Sequence, residues 1–224
     1  VVGLVGSEMC IRDSGQTECS PINTMTQIDD PFEARVSTVG RPHTNWEIKI
    51  IREDGTTAAN GETGEVCARG YGVMLGYWDD AARTAETIDS DGWLHSGDLG
   101  EMDADGYVKI TGRIKDMIIR GGENVYPREI EEFLYTHPDV AEVQVFGLPD
   151  VKYGEQVAAW VQLREGASAS VEDLIDFCKG QITHFKIPRH LKLEEEFPMT
   201  VTGKMPKFVM RDQYAQELGL TAED

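Results

Sequence analysis

The chain is short of cations, short of cysteine and without any long apolar run. Its 224 residues hold 21 Lys and Arg against 40 Asp and Glu, for a formal net charge of −19. Nucleic-acid binding is driven by cationic side chains that displace phosphate counterions, so a chain this acidic is not expected to have a nucleic acid partner. Anionic small molecules stay open, because a few local cations can outweigh a distant acidic field. The four cysteines are Cys10, Cys19, Cys67 and Cys178. None forms a CxxC pair and none has a histidine at ligand spacing, so neither a metal–thiolate site nor a disulfide framework is expected, and a reducing compartment fits. No apolar stretch approaches the ~20 residues of a membrane helix, and no basic start followed by an apolar core marks a secretory leader. Cytoplasm is the expected location. The mitochondrial matrix is the alternative if a transit peptide preceded the visible start.

An apolar content of 40% suffices for a packed core, and the length allows one large domain or two small ones. The opening "VVGLVGSEMCIRDS" begins without Met, and its character does not continue downstream. Residues 1–14 resemble translated adapter read-through, are expected to be artefactual or disordered, and carry no functional weight.

From Val36 to Glu53 polar and apolar residues alternate, with "WEIKII" as a strand core. "EDGTTAANGETGE" is dense in turn formers. "EVCARG" reads as a strand and "DDAARTAETI" as a short helix. "DGWLHSGDLGEMDADGYVKITGR" reads as two strands joined at "DADG". Beyond Arg113 helices and strands alternate. "YPREIEEFLYTHP" is a helix with Pro127 in its first turn and Ile130, Phe133 and Leu134 on one face. "VAEVQVFGL", "EQVAAWVQL" and "RHLKLEE" are strands. "SVEDLIDFCKGQI" is a helix capped by Ser170 with Asp173 three residues on, burying Leu174, Cys178 and Ile182. "KFVMRDQYAQEL" closes the series as a helix. The fold class expected is α+β, with a mostly β stretch before "TGRIKD" and a compact α+β domain after it.

Chemistry can reside in the glycine-dense segments. "SGQTECS" places Thr17 and Glu18 beside a glycine: a hydroxyl for phosphate and a carboxylate for Mg²⁺, or simply solvated surface. In "WLHSGDLG", Asp98 either accepts ribose hydroxyls or satisfies its own turn. Arg113 and Lys115 precede an apolar strand that runs into Gly121–Gly122, a point of close backbone approach or a tight turn feeding the helix at Pro127. Gly203–Lys204 in "PMTVTGKMPKF" lacks the upstream glycine and the following Ser/Thr of a phosphate loop. It still suits a lysine that reaches an anion as a point charge.

In order, "SGQTE", "GETGEVCARGYGVMLGYW", "WLHSGDLG", "GYVKITGRIKDMIIRGGENVYPREIE" and "PMTVTGK" resemble the adenylate-forming (AMP-binding) superfamily over residues 15 to about 218. The finer likeness, carried by "KDMIIRGGENVYPREIE", "FCKGQITHFKIP" and "GKMPKF", is to medium-chain fatty-acyl-CoA synthetases. The resemblance implies an α+β fold: residues 15–112 as the C-terminal part of the large AMP-binding domain, and residues 113–224 as the complete small mobile domain. It implies ATP/AMP, Mg²⁺ and coenzyme A as cofactors or substrates, with a carboxylic acid, such as a medium-chain fatty acid, as the activated partner. It assigns Thr17 to phosphate contact and Glu18 to Mg²⁺. Asp98 and Arg113 become the ribose pair, and Lys115 the hinge. Gly121 and Gly122 fall in the loop lining the pantetheine tunnel, and Lys204 bridges the carboxylate and the α-phosphate. Ser14 stands where an aromatic residue is usual. No Ser/Thr/Gly-rich phosphate loop lies in this sequence, so the chain is expected to be part of a ligase and inactive alone. A carrier-loading adenylation domain and a non-catalytic CoA- or partner-binding module are the alternatives.

Overall fold

A computed structural model of the chain describes residues 12–199 and 205–220. It forms two compact units, 1–114 and 115–224.

In the first unit, strands β1 (Asp13–Ser14), β2 (Thr24–Met25) and β3 (Arg41–Pro42) make a small antiparallel sheet. Residues 12–14, expected to belong to a structureless opening segment, are therefore held in place. The Arg12 backbone N–H donates to Thr26 Oγ1 at 2.8 Å, and Ser14 pairs with Thr24. Residues 1–11, the rest of that segment, lie outside the described residues. The alternation read from Val36 begins too early, because Phe32–Ser37 is helix α1, whose last turn is fixed by the Ser37 and Thr38 hydroxyls donating to carbonyls four residues back.

A four-stranded antiparallel meander follows: β4 (Trp46–Ile51), β5 (Gly64–Gly70), β6 (Leu94–Met102) and β7 (Val108–Arg113). Helix α2 (Ala81–Thr87) is inserted between β5 and β6, its first turn capped by the Asp80 carboxylate accepting from the Arg83 N–H at 3.0 Å. One sheet face buries Ile48, Ile50, Val66, Ala68, Leu94 and Val108. The period of two puts Glu47, Lys49, Glu65, Cys67 and Arg69 on the other face.

The second unit is built on β8 (Ile118–Arg120), β9 (Glu123–Val125), β10 (Val140–Asp150), β11 (Gly154–Leu163) and β12 (His190–Leu193), with helices α3 (Pro127–Leu134), α4 (Val171–Cys178) and α5 (Lys207–Leu218). The sheet order is β10-β11-β8-β9, and β12 runs parallel to β11. β10 and β11 carry apolar residues on both faces because both faces are covered. Val143, Val145, Val157, Ala159 and Val161 meet Ile130 and Leu134 of α3 and Leu174 and Cys178 of α4. Phe146, Leu148, Ala158 and Trp160 meet Met210, Tyr214 and Ala215 of α5. Helix α4 carries the full capping box of Ser170 and Asp173. It stops at Cys178 rather than running to Ile182, which packs against the core from beyond the helix end. "GGEN" is more than a turn into α3: Glu123–Val125 is a strand, and Gly121–Gly122 is the two-residue loop of a hairpin. Both glycines have positive φ, 61° and 88°, as a type I′ turn requires.

Candidate functional site

In the first unit Thr17 and Glu18 lie in a one-turn 3-10 helix, Thr17–Cys19. Only glycine fits at position 15, since a Cβ there would fall 1.6 Å from the Pro21 carbonyl oxygen. The segment thus closes on itself, and the Asn23 N–H donates to the Ser14 carbonyl at 3.0 Å. Thr17 is exposed and Glu18 half-buried. The Glu18 carboxylate is fixed by the Tyr77 hydroxyl, which donates to Oε1 at 3.0 Å, and the Glu18 carbonyl accepts from the Met74 N–H at 2.9 Å. The "GYGVMLGYW" segment is therefore a clamp on Glu18. Tyr77 was not singled out from the sequence, although it stands in a quoted motif; its partner lies 59 positions away. A fixed, half-buried hard oxygen donor is the kind of ligand Mg²⁺ takes, alongside phosphate oxygens and waters. Burial, helped by the Glu18 charge, raises the neighbouring Cys19 thiol and outweighs the hydrogen bond from Asn23, so Cys19 is an inert core thiol.

Asp98 and Arg113 come together across the β6–β7 ladder. They are register partners, and Arg113 Nε donates to Asp98 Oδ1 at 3.0 Å. The Asp98 N–H is held by Ser96 Oγ at 3.0 Å, which turns the strand after Gly97 (φ 71°). Asp98 lines a small cleft together with Gly15, Gln16, Asn23, Thr24 and Ser96. The Thr24 hydroxyl is buried and, among the described residues, has no hydrogen-bond partner. A buried hydroxyl without a partner costs free energy that a ligand in the cleft could recover. Thr24, Asn23 and Ser96 were missed in the sequence, where isolated polar residues of small side chain carry no pattern.

In the second unit Lys115 is the first residue, exposed within a 3-10 turn, Ile114–Asp116. It lines a concavity with Met117, Phe146, Glu155, Lys207 and Arg211. Gly121 and Gly122 are exposed at the hairpin tip. The Gly121 N–H donates to the Tyr153 carbonyl at 2.8 Å, and the Arg120 guanidinium lies 4.4 Å from the Tyr153 ring centre. Lys204 lies outside the described residues.

A β-meander carrying an acid–arginine pair beside a glycine-closed 3-10 turn, followed by a separate α+β unit, is the C-terminal architecture of the adenylate-forming enzymes. The profile of the AMP-binding enzyme family matches residues 13–78, and that of the AMP-binding enzyme C-terminal domain matches residues 129–204. The chain belongs to this family. It is 51% identical over 210 residues to YngI of Bacillus subtilis (strain 168), covering 93% of this chain and 38% of YngI. It is 48% identical over 208 residues to the mitochondrial medium-chain acyl-CoA ligase ACSF2 of Bos taurus, covering 92% of this chain and 34% of ACSF2. Among solved structures, ATP-bound MatB from Rhodopseudomonas palustris superposes with a TM-score of 0.86 at 33% identity, over 91% of this chain and 40% of MatB. The chain thus spans little more than a third of the length of the curated relatives it matches.

Proposed function

We propose that the chain carries the ribose, hinge and acceptor-channel residues of an AMP-forming carboxylate–CoA ligase. In this reaction a carboxylate attacks the α-phosphate of ATP, giving acyl-adenylate and pyrophosphate. The thiol of coenzyme A then takes the acyl group and AMP leaves. The observation that carries this reading is the Asp98–Arg113 pair at 3.0 Å, whose Asp98 lines a cleft that also holds the Thr24 hydroxyl, without a partner among the described residues. A carboxylate accepts both hydroxyls of a ribose, and the arginine holds that carboxylate in place. Thr17 contacts phosphate, and Glu18, fixed by Tyr77, holds Mg²⁺, which when bound neutralises phosphate charge. Lys115, at the start of the second unit, is the hinge. Gly121 and Gly122 line the channel for the pantetheine arm. Lys204 supplies positive charge where the attacking carboxylate meets the phosphate.

The acyl substrate is a medium-chain fatty acid on the strength of the ACSF2 relatives, whose mitochondrial naming also supports a matrix setting beside a cytoplasmic one. With no Ser/Thr/Gly-rich phosphate loop in its sequence, the chain alone makes no acyl-CoA.

Calorimetric titration of the 224-residue chain with AMP and with ATP tests the assignment. Binding is expected, and Asp98→Asn should weaken it about 10–100-fold, the equivalent of one charge-assisted hydrogen bond. Equal affinity in wild type and variant would remove the ribose role from Asp98. Absence of any binding would remove the nucleotide site from this chain.

A further inference from the structure

The outer face of the meander holds a cluster that the ligase reading does not use. β5 and β6 pair Cys67 directly with His95. The Cys67 Sγ lies 3.7 Å from His95 Nδ1, and the Glu65 Oε2 lies 2.8 Å from the same nitrogen. One donor atom from each of Glu65, Cys67 and His95 falls within 4.8 Å of the others. Behind the ring, the Asp89 Oδ2 stands 3.8 Å from His95 Nε2. Asp89 is itself anchored through Oδ1 by the Asp91 and Trp93 backbone N–H groups, at 2.9 and 2.8 Å. The second Glu65 oxygen accepts from the Gly97 N–H at 3.0 Å.

We propose that Glu65, Cys67 and His95 form a binding site for a borderline-soft divalent cation of the zinc type, independent of the ligase reading. Thiolate, imidazole and carboxylate together select zinc-like ions over Mg²⁺ and Ca²⁺, which prefer oxygen alone. Ligand atoms that share a tetrahedral ion at bond lengths of about 2.0–2.3 Å sit roughly 3–4 Å apart, the spacing seen between Sγ and Nδ1. Asp89 supplies the carboxylate behind the histidine that orients a metal-bound ring.

Without metal, Nδ1 has two neighbours and at most one proton to share between them. Burial, aided by the Glu65 charge, pushes the Cys67 thiol up to about 12. The group is therefore a protonated thiol and not a nucleophile beside a histidine base. On binding, the thiol proton leaves to solvent and the ring proton resides on Nε2, facing Asp89. Sγ, Nδ1 and one Glu65 oxygen each donate a lone pair, and a water fills the fourth position. The thiol is buried, but the His95 and Glu65 side chains are partly open to solvent, so the ion approaches from their side.

The experiment is a titration of the whole chain with Co²⁺, read by absorption, followed by displacement with Zn²⁺. One equivalent should produce the thiolate-to-cobalt charge-transfer band and the intense visible bands of four-coordinate cobalt, and Zn²⁺ should bleach both. Cys67→Ser and His95→Gln should each abolish the charge-transfer band or move it beyond reach of the titration, while Cys10→Ser, Cys19→Ser and Cys178→Ser keep it. Asp89→Asn should lower affinity about 10–100-fold. Because Cys67 is buried, circular dichroism of each variant accompanies the titration, and the partly exposed His95→Gln carries the test if Cys67→Ser unfolds. No charge-transfer band in the wild type, or a band that survives in folded His95→Gln, would overturn the site.

Discussion

Asp30 shows how one acidic residue of this acidic chain is made structural. Its side chain is only 2% exposed, and it accepts from Arg41 Nη2 at 2.7 Å, the Tyr107 hydroxyl at 2.8 Å and the Gln27 N–H at 2.7 Å. Burial opposes its ionisation. The Gln27 backbone donor, the Tyr107 hydroxyl and the Arg41 guanidinium outweigh burial and hold the carboxyl below the usual aspartate range. Its contribution to stability is therefore complete above the unfolded value near pH 4 and is lost as pH falls through the lower folded value. Asp30→Asn should cost about 1–3 kcal/mol by leaving buried donors poorly matched, and should flatten the acid limb of the stability curve. Urea melts between pH 7 and pH 3 would show a parallel loss in both proteins if Asp30 had no such role. The side-chain partners of Asp30 were not legible in the sequence, because Arg41 and Tyr107 stand 11 and 77 positions away. Asp98 and Arg113 were legible only through family resemblance. By themselves they read as a turn aspartate and a linker arginine. What makes them a pair is a ladder register with a shift between Leu99 and Gly100, which no local pattern encodes.

Elements were easier to read than contacts. The final helix falls at Lys207–Leu218, the very residues read as the closing helix, and the Ser170 capping box sets the start of α4. Each signal here lies within one or two turns of chain. The misreadings came where two local signals compete. The run from Val36 alternates like a strand, yet its first residues finish helix α1 under the hydroxyl bonds of Ser37 and Thr38. Past Cys178 the apolar spacing to Ile182 continues, but Gly180 adopts a positive φ of 72° and the helix ends. The juxtaposition of Cys67 and His95 was not legible either, because β5–β6 pairing brings them together across 28 positions. At the β8–β9 hairpin, Gly121→Ala would place a Cβ 3.1 Å from the Tyr153 ring at φ 61°. It should destabilise the second unit by about 1–2 kcal/mol, measurable as a lower denaturant midpoint. The exposed turn residues of the "DADG" connection, such as Ala104, should tolerate substitution within about 0.5 kcal/mol. Ser170→Ala, which deletes both hydroxyl bonds of the capping box, should cost about 1 kcal/mol.

At the scale of the whole molecule each unit covers a core of its own and leaves some large apolar side chains open, Val151 of the second at 110% exposure among them. The second buries both faces of its sheet under α3, α4 and α5. The first leaves Leu75 and Trp78 at 104% and 97% exposure, with Tyr71 at 76% close by in the chain. Large apolar side chains so open to water favour self-association. Leu75→Ser with Trp78→Arg should reduce light scattering at high concentration while changing unfolding stability by no more than about 0.5 kcal/mol. Scattering that does not fall would show that association arises elsewhere. The double-sided sheet of the second unit also bears on synthesis. Phe146, Leu148 and Trp160 leave the ribosome well before Met210 and Tyr214, which roof them. Until α5 has emerged, one face of the nascent sheet stands open, and that interval is when a chaperone would have something to hold.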